Sequence, residues 1–120
     1  MKIAIPVDEK SMLSTVCVSF GRTPYFLFYN TDTKEAEFFD NSAISAQGGA
    51  GIKAAQKIVD EKSQALLTIR CGENAAEVLH GAKIKIYKTK YPTAQENITA
   101  FENQELHILT EIHAGFHNQG

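Results

Sequence analysis

This chain of 120 residues has only two cysteines and no excess of basic charge. It also has no apolar run approaching the length of a membrane span. Each shortage excludes something. A formal charge of −2 gives no broad basic surface, which argues against nucleic-acid binding driven by counterion release. The opening "MKIAIPVDEK" is stopped too soon by Pro6 and Asp8 to act as a signal peptide. A cytoplasmic location is therefore expected, and there Cys17 and Cys71 stay reduced rather than pairing. Asn97-Ile98-Thr99 matches a glycosylation sequon that has no meaning in that compartment. Repeats, low-complexity tracts and domain linkers are missing as well.

What remains is ordinary globular material, 43% apolar and 22% charged. The length suits one domain that buries roughly two-thirds of its unfolded surface. Lys2 to Val7 alternates, with Ile3, Ile5 and Val7 on one face and Ala4 on the other, which predicts a buried strand. "PYFLFYN" and "KEAEFFDN" flank the turn "NTDTK" and predict a hairpin. Tyr25 to Tyr29 is apolar on both faces, so that strand belongs inside the sheet. "SAISAQGGAG" reads as a loop, followed by a helix with Ile52, Ala55, Ile58 and Val59 inward. Ala65 to Ile69 predicts a strand covered on both faces. A helix with Ala75, Val78 and Leu79 inward follows, then the strand "IKIY". The last helix spans Thr93 to Asn103, opened by Thr93 and Glu96 as a capping box, with Ala94, Ile98 and Phe101 inward.

The order predicts an α/β fold: a mixed five-stranded sheet, a three-stranded meander followed by right-handed βαβ crossovers, with helices on both faces. Residues 1–110 form the domain and residues 111–120 a flexible tail. The loops after the first, third and fourth strands then emerge at one edge, where ligands of α/β sheets bind. They carry Cys17, the Gly48 to Gly51 segment and Cys71.

Several groups there have candidate chemistry, each with a plainer alternative. Gly48, Gly49 and Gly51 open a helix and suit an anion, or else serve tight helix–sheet packing. Cys71 precedes Gly72 at a helix start, where amide dipoles and Arg70 favour a thiolate, or it fills space at a strand end. Arg22 can fork onto an anion, cap a loop or pair with Asp8. His113 and His117 have metal-like spacing, although Gly115 between them suits a solvated tail; His80 and His107 read as ordinary. No phosphate-cradling pattern ending in Lys-Ser/Thr and no serine nucleophile elbow appears, and "ALLTIR" brings no carboxylate to join Asp8.

Four segments in order, "MKIAIPVDE", "FGRTPYFLFY", "DNSAISAQGGAGIKAAQKI" and "CGENAAEVL" followed by "IKIY", resemble the dinitrogenase iron–molybdenum cofactor biosynthesis family from Met1 to about Leu109. The resemblance implies a ribonuclease H-like fold. It implies a non-catalytic role in binding, storing or delivering an iron–sulfur or molybdenum-containing cluster, with molybdenum–copper sulfide clusters associated with some relatives. Cofactor-assembly proteins are the implied partners, the chain itself being a monomer or weak homodimer. Cys17 and Cys71 become candidate metal ligands, joined by His113 and His117. Arg22, Gly48, Gly49, Gly51 and Gly72 become the groups that stabilise the cluster's negative charge. A mononuclear zinc or copper(I) site is one alternative and a phosphate- or nucleotide-binding module the other. Three departures stand out. Ser19 replaces a histidine common before Phe-Gly-Arg, Cys71 replaces an apolar residue, and Gly81-Ala82-Lys83 replaces a glycine directly before the final strand.

Overall fold

The computed structural model describes residues 1–110; His113 and His117 lie outside the described residues. The strands are β1 (Lys2–Val7), β2 (Tyr25–Asn30), β3 (Ala36–Asp40), β4 (Ala65–Thr68), β5 (Lys85–Lys88) and β6 (His107–Ile108). The helices are α1 (Ser42–Ser45), α2 (Ala50–Asp60), α3 (Glu73–Gly81) and α4 (Ala94–Glu102). One sheet holds all six strands in the order β3-β2-β1-β4-β5-β6, which corrects the expected five. The sixth is a two-residue antiparallel addition to β5, too short to leave a periodic signal.

The meander and the crossovers meet at β1, which pairs antiparallel with β2 and parallel with β4. Pairing with β4 covers only Ile3 and Ala4. Pro6 has no N–H to donate and falls beyond that stretch, so it breaks no ladder bond. Its carbonyl instead accepts from the Cys17 N–H at 2.9 Å as the β1–β2 loop folds back. The strand order therefore switches sides between β1 and β4, and their carboxyl ends part there.

Each face of the sheet carries its own core. Ala4, Phe26, Phe28 and Leu66 pack against Ala54, Ala55 and Ile58 of α2 and Ala75, Ala76 and Leu79 of α3. Ile3, Ile5, Val7, Leu27 and Leu67 pack against Ala94 and Ile98 of α4. The alternation in β1 and the two-faced burial of β2 are as the sequence predicts. Ile52 is a correction: the inward stripe of α2 is Ala50, Ala54, Ala55 and Ile58, and Ile52 is 45% exposed. At 100° per residue the inward face is centred on Ala54 and Ile58, which puts Ile52 on the opposite side of the helix.

α2, α3 and α4 all end in the same way, with a residue in left-handed conformation: Lys62 (φ 62°), Lys83 (φ 62°) and Gln104 (φ 61°). The N–H groups of Ser63, Ile84 and Glu105 reach back to the carbonyls of Ile58, Leu79 and Ala100. This is the Schellman arrangement, which glycine usually completes. Lys83 thus stands two residues before β5 in a conformation that costs an L-residue about 1–2 kcal/mol. Lys62→Gly, Lys83→Gly and Gln104→Gly are each expected to raise stability by roughly 0.5–1 kcal/mol, after allowance for glycine's freer unfolded state. The urea midpoint checks this; an unchanged or lower midpoint counts against it.

Asn97 of the sequon is fully buried. Its Oδ1 accepts from the N–H groups of Lys90 and Tyr91, and its Nδ2 donates to the carbonyls of Tyr91 and Thr93. With every side-chain valence used, it pins the β5–α4 loop.

Candidate functional site

The carboxyl ends of β1, β3 and β4 open into a cavity of about 640 Å³ at the switch point. One wall is Val18 to Gly21 of the β1–β2 loop, a second is the start of α2 (Gly49, Gly51, Ile52), and the third is Arg70 to Ala75 between β4 and α3. The first wall is held firmly. Ser14 Oγ accepts from the Asp8 and Glu9 N–H groups at 3.1 and 2.9 Å. The buried Thr23 hydroxyl lies 2.9 Å from the Val7 carbonyl and 3.0 Å from that of Tyr25. Phe20 plugs the loop into the core, edge-on to Phe26 with ring centroids 5.4 Å apart.

Gly21 closes the corner between the first two walls. A Cβ placed there would stand 2.8 Å from both Cα and N of Gly51 and 3.1 Å from the Ala50 carbonyl carbon. Backbone lies on backbone. Gly49 has φ 69° and forms the N-cap of α2, a conformation that suits glycine. The packing alternative therefore holds at Gly51, whereas a Cβ at Gly48 or Gly49 would meet nothing within 4 Å; Gly49 and Gly51 also line the cavity. Gly48 is exposed and outside its lining.

Gly72 differs. It is the N-cap of α3 with extended backbone (φ −74°, ψ 160°), which any residue adopts, and a Cβ there would meet nothing within 4 Å. Neither packing nor backbone conformation calls for glycine, and what its lack of a side chain preserves is open space above the helix start. α2 and α3 both begin without a side-chain cap, and both starts face this cavity. The first amides of a helix have no intrahelical acceptor and carry the positive end of its dipole. α4 provides the contrast, because its Thr93–Glu96 capping box occupies those amides. Arg70 adds a cation to the mouth and Glu73 an exposed carboxylate beside it.

The two thiols are both free but separate in role. Cys71 belongs to the cavity wall and is 1% exposed within the apolar cluster. Burial pushes its thiol up to about 11, which corrects the expectation of a dipole-stabilised thiolate. Cys17 is half-buried and is not among the residues lining the cavity. Burial raises its pKa; hydrogen bonds with Thr23 and the Ser19 backbone oppose that, and Asp8 adds to it. Arg22 takes the loop-capping alternative: its guanidinium donates to the Ser45 carbonyl, at the end of α1, and lies outside the cavity lining. Asp8 accepts from the Thr15 hydroxyl at 2.6 Å. Ser19 lines the cavity, and its hydroxyl accepts from the Arg22 N–H at 3.1 Å.

The Cys71 shift carries a pH signature. Between the ordinary thiol range and about 11, the unfolded chain loses this proton while the folded one keeps it. Stability is thus fully present below the unfolded pKa and falls as pH rises above it. Two pH units correspond to roughly 3 kcal/mol. Urea unfolding at neutral and alkaline pH is expected to show a larger loss in the native chain than in Cys71→Ala, where Cys17 alone contributes. Equal alkaline losses would contradict the burial argument.

A family model described as dinitrogenase iron–molybdenum cofactor matches residues 1–104. The chain belongs to that family. Among solved structures, it is similar to the apo form of the orange protein from Desulfovibrio gigas, with 28% identity over 91% of this chain and 92% of that one, and a TM-score of 0.86. A NifB-like protein of the DUF35 family from Thermotoga is 34% identical over 99% of this chain and 98% of its own, with a TM-score of 0.81. A dinitrogenase-type protein from Methanocaldococcus jannaschii is 23% identical over 92% and 96% with a TM-score of 0.71, a likeness of fold alone. No curated protein matches. The family assignment supports a cofactor-related accessory role.

Val18, Asn41 and the outward-turned Ile52 also build this family member's site. Val18 and Ile52, 57% and 45% exposed, give the mouth an apolar rim. Asn41, fully buried behind the first wall, donates through Nδ2 to the carbonyls of Gly21 and Thr23. A signal for Ile52 was available, since a stripe centred on Ala54 and Ile58 leaves it on the opposite side of α2. Asn41 gave none, because its side-chain partners are at least 18 residues away.

Proposed function

We propose that this chain is a non-catalytic accessory protein that binds an anionic metal–sulfur cluster in the mouth and passes it on during cofactor assembly. Iron and molybdenum are the metals proposed, with copper as a further component. One observation carries the reading: two uncapped helix starts and Arg70 converge on one open cavity whose glycine at position 72 leaves the amides accessible. Such a site neutralises a large, soft anion without a cage of covalent ligands. Among the described residues no three His, Cys, Asp or Glu side chains gather to hold a metal. Weak, reversible retention suits a carrier. The similarity to the orange protein and to a NifB-like protein supports cofactor-assembly proteins as donor and acceptor.

Cys71 is the proposed thiol ligand, losing its proton as metal binds, which makes loading favour higher pH. Cys17, which lies outside the wall, is proposed as a further donor, as are His113 and His117; Arg22 and Gly48 act at longer range. The five strands β3-β2-β1-β4-β5 are read as ribonuclease H-like, residues 111–120 as a tail, and the working compartment as the cytoplasm. Among the described residues no helix is long and apolar enough to cross a membrane.

The test is anaerobic titration of the full chain with tetrathiomolybdate, alone and with iron(II) or copper(I), followed by metal and sulfide analysis. A stoichiometric complex with sulfur-to-metal absorption bands is expected. Cys71→Ser is expected to weaken it by roughly tenfold or more, and Cys17→Ser or the paired histidine variant less. A colourless protein holding one zinc would overturn the reading. Equal competition by inorganic phosphate, indifferent to both cysteine variants, would replace it with a phosphate site.

A further inference from the structure

The mouth is shaped from behind by a residue that does not line it. Asn41 follows β3 and is fully buried. Its Nδ2 donates to the Gly21 carbonyl at 3.1 Å and the Thr23 carbonyl at 2.9 Å, both on the β1–β2 loop. Its backbone N–H reaches the Pro24 carbonyl and its own carbonyl accepts from the Ser45 N–H, 2.9 and 2.8 Å away. The Arg22 guanidinium closes the circuit onto the Ser45 carbonyl. One residue thus joins the Phe20–Gly21 wall to the segment that leads into α2.

The acceptor half of the same side chain is idle. Asn41 Oδ1 is buried with no hydrogen-bond partner among the described residues. An unmatched buried acceptor costs about 1–3 kcal/mol. An apolar side chain of similar size would fill the space without that cost, so what the carboxamide adds is its two N–H bonds to the loop. One of those bonds falls on the glycine whose backbone is pressed against Gly51.

We propose that Asn41 is the positioning residue of the mouth, its carboxamide holding the Gly21 wall against the start of α2 and so setting whether the cavity accepts its anion. The inference uses the cluster-carrier reading for the ligand, while the contact it invokes stands apart from that reading.

The experiment uses the full chain, with tetrathiomolybdate as probe. Asn41→Asp preserves the shape and removes both N–H donors. In protein that remains folded at the assay temperature, affinity is expected to fall by about tenfold or more, the scale of a misplaced binding group. The backbone amide resonances of Gly21 and Gly51 are expected to shift, while those of Ile98 on the opposite face stay in place. A lower melting temperature with unchanged affinity and an unmoved Gly51 resonance would make Asn41 a fold residue only and overturn the proposal. Asn41→Ser, a milder truncation, serves the same comparison if the aspartate variant does not fold. In the native chain the Asn41 side-chain amide resonances are expected to move as the probe is added, although Asn41 is outside the lining; static resonances with bound probe count against the proposal. If the native chain binds no probe, the carrier reading fails, and the Gly21 and Gly51 resonances in the variants still decide the contact.

Discussion

Gly21→Ala is expected to destabilise the protein by about 2–3 kcal/mol, the usual scale of overpacking, and to lower its melting temperature by roughly 10 °C. The added methyl would stand 2.8 Å from two backbone atoms of Gly51, and backbone cannot rotate away as a side-chain tip can. Either α2 retreats or the β1–β2 loop lifts, and both widen the mouth. Gly51→Ala makes the same chemical change on the other side of the contact with the opposite outcome. Its Cβ would approach nothing nearer than the Ala75 Cβ at 3.8 Å, an ordinary contact, and alanine suits a helix better than glycine. Thermal unfolding of the two variants side by side is the check. Equal melting temperatures would show that the glycine–glycine contact does not limit the packing.

The second large effect is on binding, and it runs against stability. Gly72→Asp is expected to leave the fold intact or stabilise it by a few tenths of a kcal/mol, because aspartate is a better N-cap than glycine. The backbone is already extended at that position and the Cβ has room. The new carboxylate would accept from the first amides of α3 and place a negative charge where the cluster is proposed to sit. A unit charge at about 4 Å from another near a protein surface is worth about 4 kcal/mol, so the loss of tetrathiomolybdate affinity is expected to reach 100-fold or more. Gly72→Asn provides the same cap without the charge and separates occupation of the amides from electrostatic repulsion. An aspartate variant that binds as tightly as the native chain would remove the helix start of α3 from the site. Glu73→Gln, which removes the carboxylate already at the rim, is expected to move affinity the other way.

The sequence reveals what local pattern controls. Ile3, Ile5 and Val7 opposite Ala4 give the two faces of the sheet, and Tyr25 to Tyr29 gives an interior strand. Thr93 and Glu96 give the start of α4 through a capping box whose members are three residues apart. What escapes is set by distant partners or by phase. Gly21 and Gly51 are each unremarkable until the fold lays one on the other. Arg22 and Arg70 are both cations beside predicted strand ends, and only the fold shows that Arg22 donates to the end of α1 and that Arg70 lines the mouth. Cys71 follows the rule for a helix-start thiolate in its spacing, yet burial among hydrocarbon side chains outweighs the dipole. Ile52 fails because the inward stripe of α2 is mostly alanine, Ala50, Ala54 and Ala55 with Ile58, so a larger apolar residue on the other face dominates the pattern.

Because the sheet changes direction at β1, the cavity borrows Gly21 from the chain's first quarter and Gly72 from well past its middle. Neither portion owns a usable recess by itself. A nascent chain acquires one only when β4 has docked beside β1, so a cargo that requires all three walls meets only finished molecules. By the same coupling, a loaded molecule resists separation of the two halves by RT ln(1 + [L]/Kd). Protection against proteolysis is then expected across the β1–β4 seam, well beyond the loops that touch the guest.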